Sequence, residues 1–318
     1  MQAAPAVYPW RPKNRPFWGR NRDQSMRSML FVPGDRPDRF VKAEASGADA
    51  VILDLEDAVA PERRPLARES IAAHLAARPA GARSLPLWVR INPIQTADAL
   101  ADLVAVLPGR PDGVVLPKAR HGDDLHRLDH WLEALESQHG LELGRTRVIP
   151  MVTETARALL SMSSFVCLPA RVAALTWGAE DLATELGAFG NRDAAGEYEL
   201  PYALASSLTL YAASAGSVPA IDTVDTEIRD VEAVERRARA SRRAGFVGKL
   251  AIHPAQVAAL NAAFTPSAAE VAQAEQVCAA FAAHPGVGAF RLDGRLVDRP
   301  HLLQAERVLA AAQAAGRR

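Results

Sequence analysis

Cysteine is scarce. The 318 residues include two, Cys167 and Cys278, which excludes a disulfide framework and a thiolate zinc spacing. Both are read as buried thiols of a reducing compartment. Net charge is absent as well: 37 Lys and Arg balance 37 Asp and Glu. A dedicated nucleic-acid binder shows a basic excess, so no nucleic-acid partner is expected. No apolar run approaches the ~18 residues of a membrane span, and none is expected to cross a bilayer. Residues 1–24 lack the apolar h-region of a secretory signal. They are Arg-rich, but their prolines and missing helical period speak against a transit peptide. The location expected is the cytoplasm. What the sequence does have is 49% apolar residues, enough for a substantial core without disulfides or structural metal.

Residues 1–25 read as a separate arm. Pro5, Pro9, Pro12 and Pro16 prevent a continuous helix. Trp10, Phe17 and Trp18 suit docking on this or a neighbouring subunit as well as they suit a loose extension.

After the arm, short apolar runs alternate with amphipathic stretches. The runs cover 28–32, 50–54, 87–91, 113–117, 147–152, 172–177, 217–222 and 249–253. Most carry Val, Ile or Leu without polar alternation, as strands buried on both faces do. Residues 38–48, 62–77, 96–107, 123–137, 155–168, 201–215 and 226–244 read as helices. Eight strands with intervening helices predict an α/β fold, a (β/α)8 TIM barrel over 26–265. A doubly wound open sheet is the alternative, but FVPGDRP after the first strand is not the G-x-G-x-x-G loop such folds carry. Residues 266–318 form a C-terminal extension: a helix over 267–283, a hairpin over 290–297 turning at Asp293–Gly294, and a helix over 300–315.

A barrel of this kind places its chemistry at the C-terminal ends of its strands. Those ends carry Asp35 and Arg36, then Asp54, Glu56 and Asp57, then Arg90 and Asn92. Lys118, Glu154, Glu180, Asp181, Asp222 and His253 follow. Carboxylates from the second, fifth and sixth strands would converge with Arg90 on one mouth. Buried carboxylates need compensating charge. Arg90 and Lys118 supply part, and a hard divalent cation, Mg2+ or Mn2+, is the other solution for oxygen ligands. Each residue also has a purely structural reading. Asp54 and Asp57 suit a helix cap, Glu154 a first-turn position, Asp181 an N-cap, and Arg90 a counter-ion for Asp54. His253–Pro254 reads as a turn that opens a helix. Taken together, Arg90, Glu154 and Asp181 favour a site.

Eight blocks in order now carry a resemblance: FVPGDRPDRFVKA, VILDLEDAV, VRINP, VVLPKA, TETARALL, WGAEDL, GKLAIHPAQV and DGRLVDRPHLLQA. Over about residues 26–315 the chain resembles the HpcH/HpaI aldolase–citrate lyase beta subunit family, in its acyl-CoA lyase branch of malyl-CoA and citramalyl-CoA lyases. The resemblance implies a Mg2+-dependent carbon–carbon lyase that joins or splits a CoA thioester enolate and a 2-oxo acid. It implies a homo-oligomer, trimer or hexamer. It matches Glu154 and Asp181 to metal ligands, Arg90 to the family's third-strand arginine, and Glu56 and Asp57 to its acidic pair. Arg36, Glu56, Asp57, Arg90 and Lys118 are the substrate contacts expected, and Arg90 and Asp298 the catalytic groups. Asp298 matches an aspartate implicated in proton transfer at a neighbouring subunit's site. As a residue, it suits an N-cap of the last helix equally well. Two departures, Ala119–Arg120 after LPK and Thr153 in MVTETA, bear on substrate identity rather than on the metal. The competing functions are a citrate lyase beta subunit working on an acyl carrier protein, a CoA-independent aldolase, and a non-catalytic binding protein.

Overall fold

The apolar runs form eight parallel strands because each can bury both faces. They are β1 (Ser28–Pro33), β2 (Ala50–Asp54), β3 (Leu87–Arg90), β4 (Gly113–Leu116), β5 (Arg147–Pro150), β6 (Leu175–Thr176), β7 (Ala220–Asp222) and β8 (Gly248–Ala251). The order is β5-β4-β3-β2-β1-β8-β7-β6. Parallel bridges Val148–Val172 and Met151–Thr176 join β5 to the β6 segment and close the ring. The computed structural model describes residues 26–284 and 286–316. They fall into two compact units that divide between Ser267 and Ala268. The readings made for the 1–25 arm lie outside the described residues.

Strand alternation sets two cores. Met29, Ile52, Trp88, Val115, Ile149, Ile221 and Leu250 point into the barrel and fill it. Their neighbours, among them Leu30, Val51, Leu87, Val114, Val148 and Leu175, point outward into the larger core beneath the helices. Those helices are α1 (Phe40–Glu44), α2 (Arg64–Ala76), α3 (Ala97–Val106), α4 (Gly122–Gln138), α5 (Ala156–Leu160), α6 (Ala179–Glu185), α7 (Leu200–Ala215), α8 (Val231–Ala244) and α9 (Pro254–Phe264). Among the described residues no helix is long and apolar enough to cross a membrane.

Several boundaries differ from the sequence reading. The stretch 155–168 is helical only over α5, followed by a 3-10 segment at Met162–Val166. Its serines favour local side-chain hydrogen bonds over helix, and Pro169 pushes the preceding residue out of the helical region. The expected helix 226–244 begins at Val231, where the Asp230 carboxylate accepts the Ala233 N–H. The expected strand 217–222 shrinks to β7. Ser217 is left-handed, at φ 55°, and Pro219 has no N–H to give. Helix α6 was not foreseen, because its seven residues follow β6 at once. The thiols also differ: Cys167 is exposed and Cys278 only half-buried.

The second unit holds α10 (Ala268–Ala283), the hairpin β9 (Ala289–Leu292) and β10 (Arg295–Asp298), and α11 (Arg299–Ala315). Ala274, Val277 and Ala305 form its small core, with Phe281 and Leu309 against it. Asp293 and Gly294 both take positive φ, 49° and 79°, as the two-residue hairpin turn demands.

Candidate active site

At the C-terminal end of the barrel lies a cavity of about 240 Å³. Its charged side comes from Asp54 and Arg90 at the ends of β2 and β3, Glu154 after β5, and Glu180 and Asp181 in the first turn of α6. A helix N-terminus favours those two carboxylates. Its apolar side includes Phe31 of β1, Met151 after β5, Val224 after β7 and Ile252 after β8.

Arg90 is fixed before any substrate arrives. Its Nε and Nη2 donate to the two Asp54 oxygens at 2.7 and 2.6 Å. The bidentate fork suits a carboxylate better than any lysine would. Nη1 stands 3.0 Å from Glu56 Oε2, and the guanidinium lies 4.7 Å from the Phe31 ring centroid. Burial works against its charge. The Asp54 charge and hydrogen bonds, with Glu56 and Glu154, outweigh burial and keep Arg90 protonated.

Lys118 organises the opposite flank through both ends of the residue. Its backbone is left-handed, at φ 50°, an uncommon conformation away from glycine. Its N–H meets Glu154 Oε2 at 2.6 Å. Its ammonium contacts Glu56, stands 3.0 Å from Asp57 and 3.1 Å from Asp181 Oδ1. Burial pushes the Glu56 carboxyl up to about 7 against the pull of Arg90 and Lys118. Burial also raises Asp57, but the Lys118 hydrogen bond and charge hold it below the usual aspartate range.

Glu154 is the most constrained group. It is 2% exposed, and its Oε1 has no hydrogen-bond partner among the described residues. Gly178 makes room for it: a Cβ there would lie 2.6 Å from Glu154 Cγ and 2.8 Å from Oε1. The Gly178 N–H in turn donates to Thr153 Oγ1 at 3.2 Å, tying the end of β5 to the start of α6. Burial, then the Asp181 and Glu56 charges, push the Glu154 carboxyl well above the ordinary range. A divalent cation reverses that balance. A buried carboxylate oxygen without a donor, beside a second carboxylate, fits a hard cation. Among the described residues no group of three or more His, Cys, Asp or Glu could hold a metal. Glu154 and Asp181 are candidate oxygen ligands among the carboxylates that line the cavity.

Of the residues singled out from sequence, Arg90, Glu154 and Asp181 meet at the cavity. Glu56, Asp57 and Lys118 adjoin them, joined through the Lys118 ammonium to Asp181 and through Glu56 to Arg90. Arg36 is not among the lining residues: it is exposed, with its guanidinium 3.1 Å from Asp38. Asp222 points outward from β7, where its carboxylate accepts from Trp177, Ser241 and Lys249. His253 caps α9 together with Gln256, as its sequence suggested. Asp298 lies in the C-terminal unit at the N-cap of α11, with His301 Nδ1 2.6 Å from its Oδ1. Sequence reasoning missed Phe31, Gly178, Val224 and Ile252. For Phe31 and Ile252 the signal was available, since strict alternation aims both into the barrel mouth.

Residues 27–254 match the family model described as HpcH/HpaI aldolase/citrate lyase. Residues 198–316 match one described as a C-C bond lyase of the TIM-barrel fold. A citrate lyase subunit beta-like protein of Mycobacterium tuberculosis is 37% identical over 288 residues, spanning 89% of this chain and 94% of that protein. The L-malyl-CoA/beta-methylmalyl-CoA lyase of Rhodobacter capsulatus is 32% identical over 307 residues, spanning 91% and 95%. The crystal structure of the protein CitE of Mycobacterium tuberculosis, in complex with magnesium, acetoacetate and coenzyme A, superposes with a TM-score of 0.76. It is 36% identical, and the match covers 92% of this chain and 99% of that one. The chain thus belongs to the HpcH/HpaI aldolase/citrate lyase family and is an enzyme of its carbon–carbon lyase type.

Proposed function

We propose that this protein is a Mg2+-dependent lyase of 3-hydroxyacyl-CoA esters of the malyl-CoA and citramalyl-CoA type. It would split them into an acyl-CoA and a 2-oxo acid, or run the reverse condensation. The observation that carries this reading is the orphaned Glu154 oxygen, set beside Asp181 in a cavity that also presents a locked Arg90. Glu154 and Asp181 would hold the cation, Mn2+ serving in place of Mg2+. When bound, the cation supplies Lewis-acid polarisation of a hydroxyl or carbonyl oxygen.

The chain's own groups account for the rest. Asp54 takes two N–H groups of Arg90 and Glu56 stands 3.0 Å from its Nη1, which holds the guanidinium rigidly at the cavity wall. In cleavage the 3-hydroxyl gives its proton to water, the carbon–carbon bond breaks, and its electron pair passes to the thioester as an enolate. The hydroxyl carbon becomes the carbonyl of the 2-oxo acid. Arg90 would donate to the enolate oxygen, and a pre-aimed donor costs no reorganisation as charge develops there. The enolate carbon then takes a proton to give the acyl-CoA. We assign that transfer to Asp298 by resemblance, acting in a trimer or hexamer whose subunits complete one another's sites. Glu56, Asp57 and Lys118 act as positioning groups for Arg90, Glu154 and Asp181. Arg36, exposed beside the mouth of β1, would meet the CoA portion of the ester.

A cleavage assay with malyl-, methylmalyl-, citramalyl- and citryl-CoA, with Mg2+ and with chelator, tests the reading. Release of a 2-oxo acid and a shorter acyl-CoA, abolished by chelator, is expected for at least one ester. No cleavage of any of them by protein that binds Mg2+ would contradict it and favour a carrier-protein substrate or a binding role. Asp298→Asn should lower turnover while leaving Mg2+ affinity unchanged.

A further inference from the structure

Asp298 ends β10 and caps α11, with Pro300 in the first turn and His301 three residues on. In a cap of this type the third helical position favours Glu or Gln, which reaches back to the backbone N–H of the cap residue. His301 does so at long range, its Nδ1 3.3 Å from the Asp298 backbone nitrogen. The same Nδ1 lies 2.6 Å from Asp298 Oδ1. A bare ring nitrogen and a carboxylate oxygen repel at that distance, so a proton must lie between them. Nδ1 cannot serve both contacts fully at once, and the shorter one is the stronger. The two side chains are 43% and 50% exposed for Asp298 and His301, and Nε2 of His301 has no hydrogen-bond partner among the described residues. The imidazole thus connects the Asp298 carboxylate, through its two nitrogens, to water.

We infer that His301 is the proton partner of Asp298: it shares a proton with the carboxylate at rest and returns one to it after each transfer to the enolate. The inference rests on the lyase reading above and on the role given there to Asp298, and it adds the residue that recharges that group. In cleavage the enolate carbon takes the Asp298 proton and leaves a carboxylate. His301 Nδ1–H passes its proton to Oδ1 while Nε2 takes one from water. The Nε2–H form left behind returns to the Nδ1–H form by exchange with water. Condensation runs the same steps in reverse. Asp298 working in a neighbouring subunit's cavity would be cut off from water there, and the ring keeps a path to it. A Gln at this position would hold the cap but pass no proton, and a Glu would set a like charge against Asp298. Histidine does what neither can, because one ring nitrogen gives a proton as the other takes one. His301 acts through Asp298 and is a positioning and relay residue.

The test compares His301→Gln, His301→Ala and Asp298→Asn with the native full chain, on whichever ester the native enzyme cleaves. His301→Gln keeps a residue suited to the cap, so its thermal midpoint should stay close to native. Its kcat should fall about tenfold or more, with KM for the ester and Mg2+ affinity unchanged. Free imidazole should raise the rate of His301→Ala and leave the native enzyme and Asp298→Asn as they are, a response that a purely structural cap would not give. If His301→Gln does not fold, the imidazole response of His301→Ala decides. A folded His301→Gln with native kcat, or a slowed His301→Ala that imidazole does not help, would overturn the inference while a slow Asp298→Asn leaves the lyase reading standing. Native turnover in Asp298→Asn would remove the role of Asp298, and the inference with it. Failure of the native enzyme to cleave any ester would instead count against the lyase reading itself.

Discussion

Glu154 shows how much of a site depends on groups that have no chemistry of their own. One of its oxygens is fixed by the Lys118 N–H at 2.6 Å. The other is left open because Gly178 has no side chain to crowd it. Gly178→Ala would force a methyl to within 2.6 Å of Glu154 Cγ. Overpacking of this kind costs about 1–3 kcal/mol, and here the group displaced is the proposed ligand. The variant should fold with a lowered thermal midpoint and bind Mg2+ more weakly, by about tenfold or more, as titration calorimetry would show. A wild-type Mg2+ affinity in folded Gly178→Ala would contradict the role given to the gap. Glu154, Asp181 and Arg90 were legible in the sequence, because strand ends and charge types can be read directly. The left-handed Lys118 backbone and the Gly178 cradle were not, because both are properties of main-chain path rather than of residue type.

Among the elements, β6, β7 and β8 are tied together by one buried ion pair. Lys249 is 1% exposed, and its Nζ donates to Asp222 Oδ2 at 2.6 Å. The same carboxylate takes the Trp177 indole N–H at 2.7 Å and the Ser241 hydroxyl at 2.6 Å. β6, β7, β8 and α8 thus meet at one buried carboxylate, directly before the Gly178 turn. Removing one partner of such a pair leaves a charge uncompensated in the interior, at about 3–5 kcal/mol. Lys249→Met should therefore lower stability by that amount in chemical denaturation, and Lys249→Met with Asp222→Asn should recover part of it. A neutral single variant would show that the pair carries no stability. From sequence, Asp222 read as one more acid at the mouth. The parity of a three-residue strand decides otherwise, with Ile221 facing in and Asp222 facing out. Short strands such as β6 and β7 give the pattern too few residues to fix that parity, and α6 was lost for the same reason of length.

At the scale of the whole barrel, a second buried charge centre lies well away from the cavity. Glu136 of α4 accepts the Thr146 and Gly144 N–H groups at 2.8 Å each, and Arg171 at 3.0 Å. Burial pushes its carboxyl up, but Arg171 and these amides outweigh burial and hold it below the ordinary glutamate range. A depressed carboxylate stabilises the fold fully above its unfolded value, and that stability fades as pH falls through the folded value. Thermal midpoints recorded from neutral to acid pH should therefore fall for the native protein below the ordinary glutamate range. Glu136→Gln should begin about 2 kcal/mol less stable at neutral pH and show a flatter acid limb. Parallel acid limbs would show that another group sets the acid stability. The eightfold alternation of buried runs and amphipathic helices was legible throughout, since both-face burial leaves an apolar signature that needs no partner to be seen. The closed barrel was expected from that count of strands, and the closure between β5 and β6 is made by two isolated bridges.

The most direct test of the account is the Mg2+ dependence of citramalyl-CoA and malyl-CoA cleavage, measured side by side for the native protein and Glu154→Gln. The native enzyme should cleave at least one of the two esters, with a rate that rises with Mg2+ and vanishes with chelator. Glu154→Gln should lose about 100-fold or more of that rate while keeping its fold by circular dichroism. A folded Glu154→Gln that cleaves at the native rate with the native Mg2+ dependence would contradict the account at its centre.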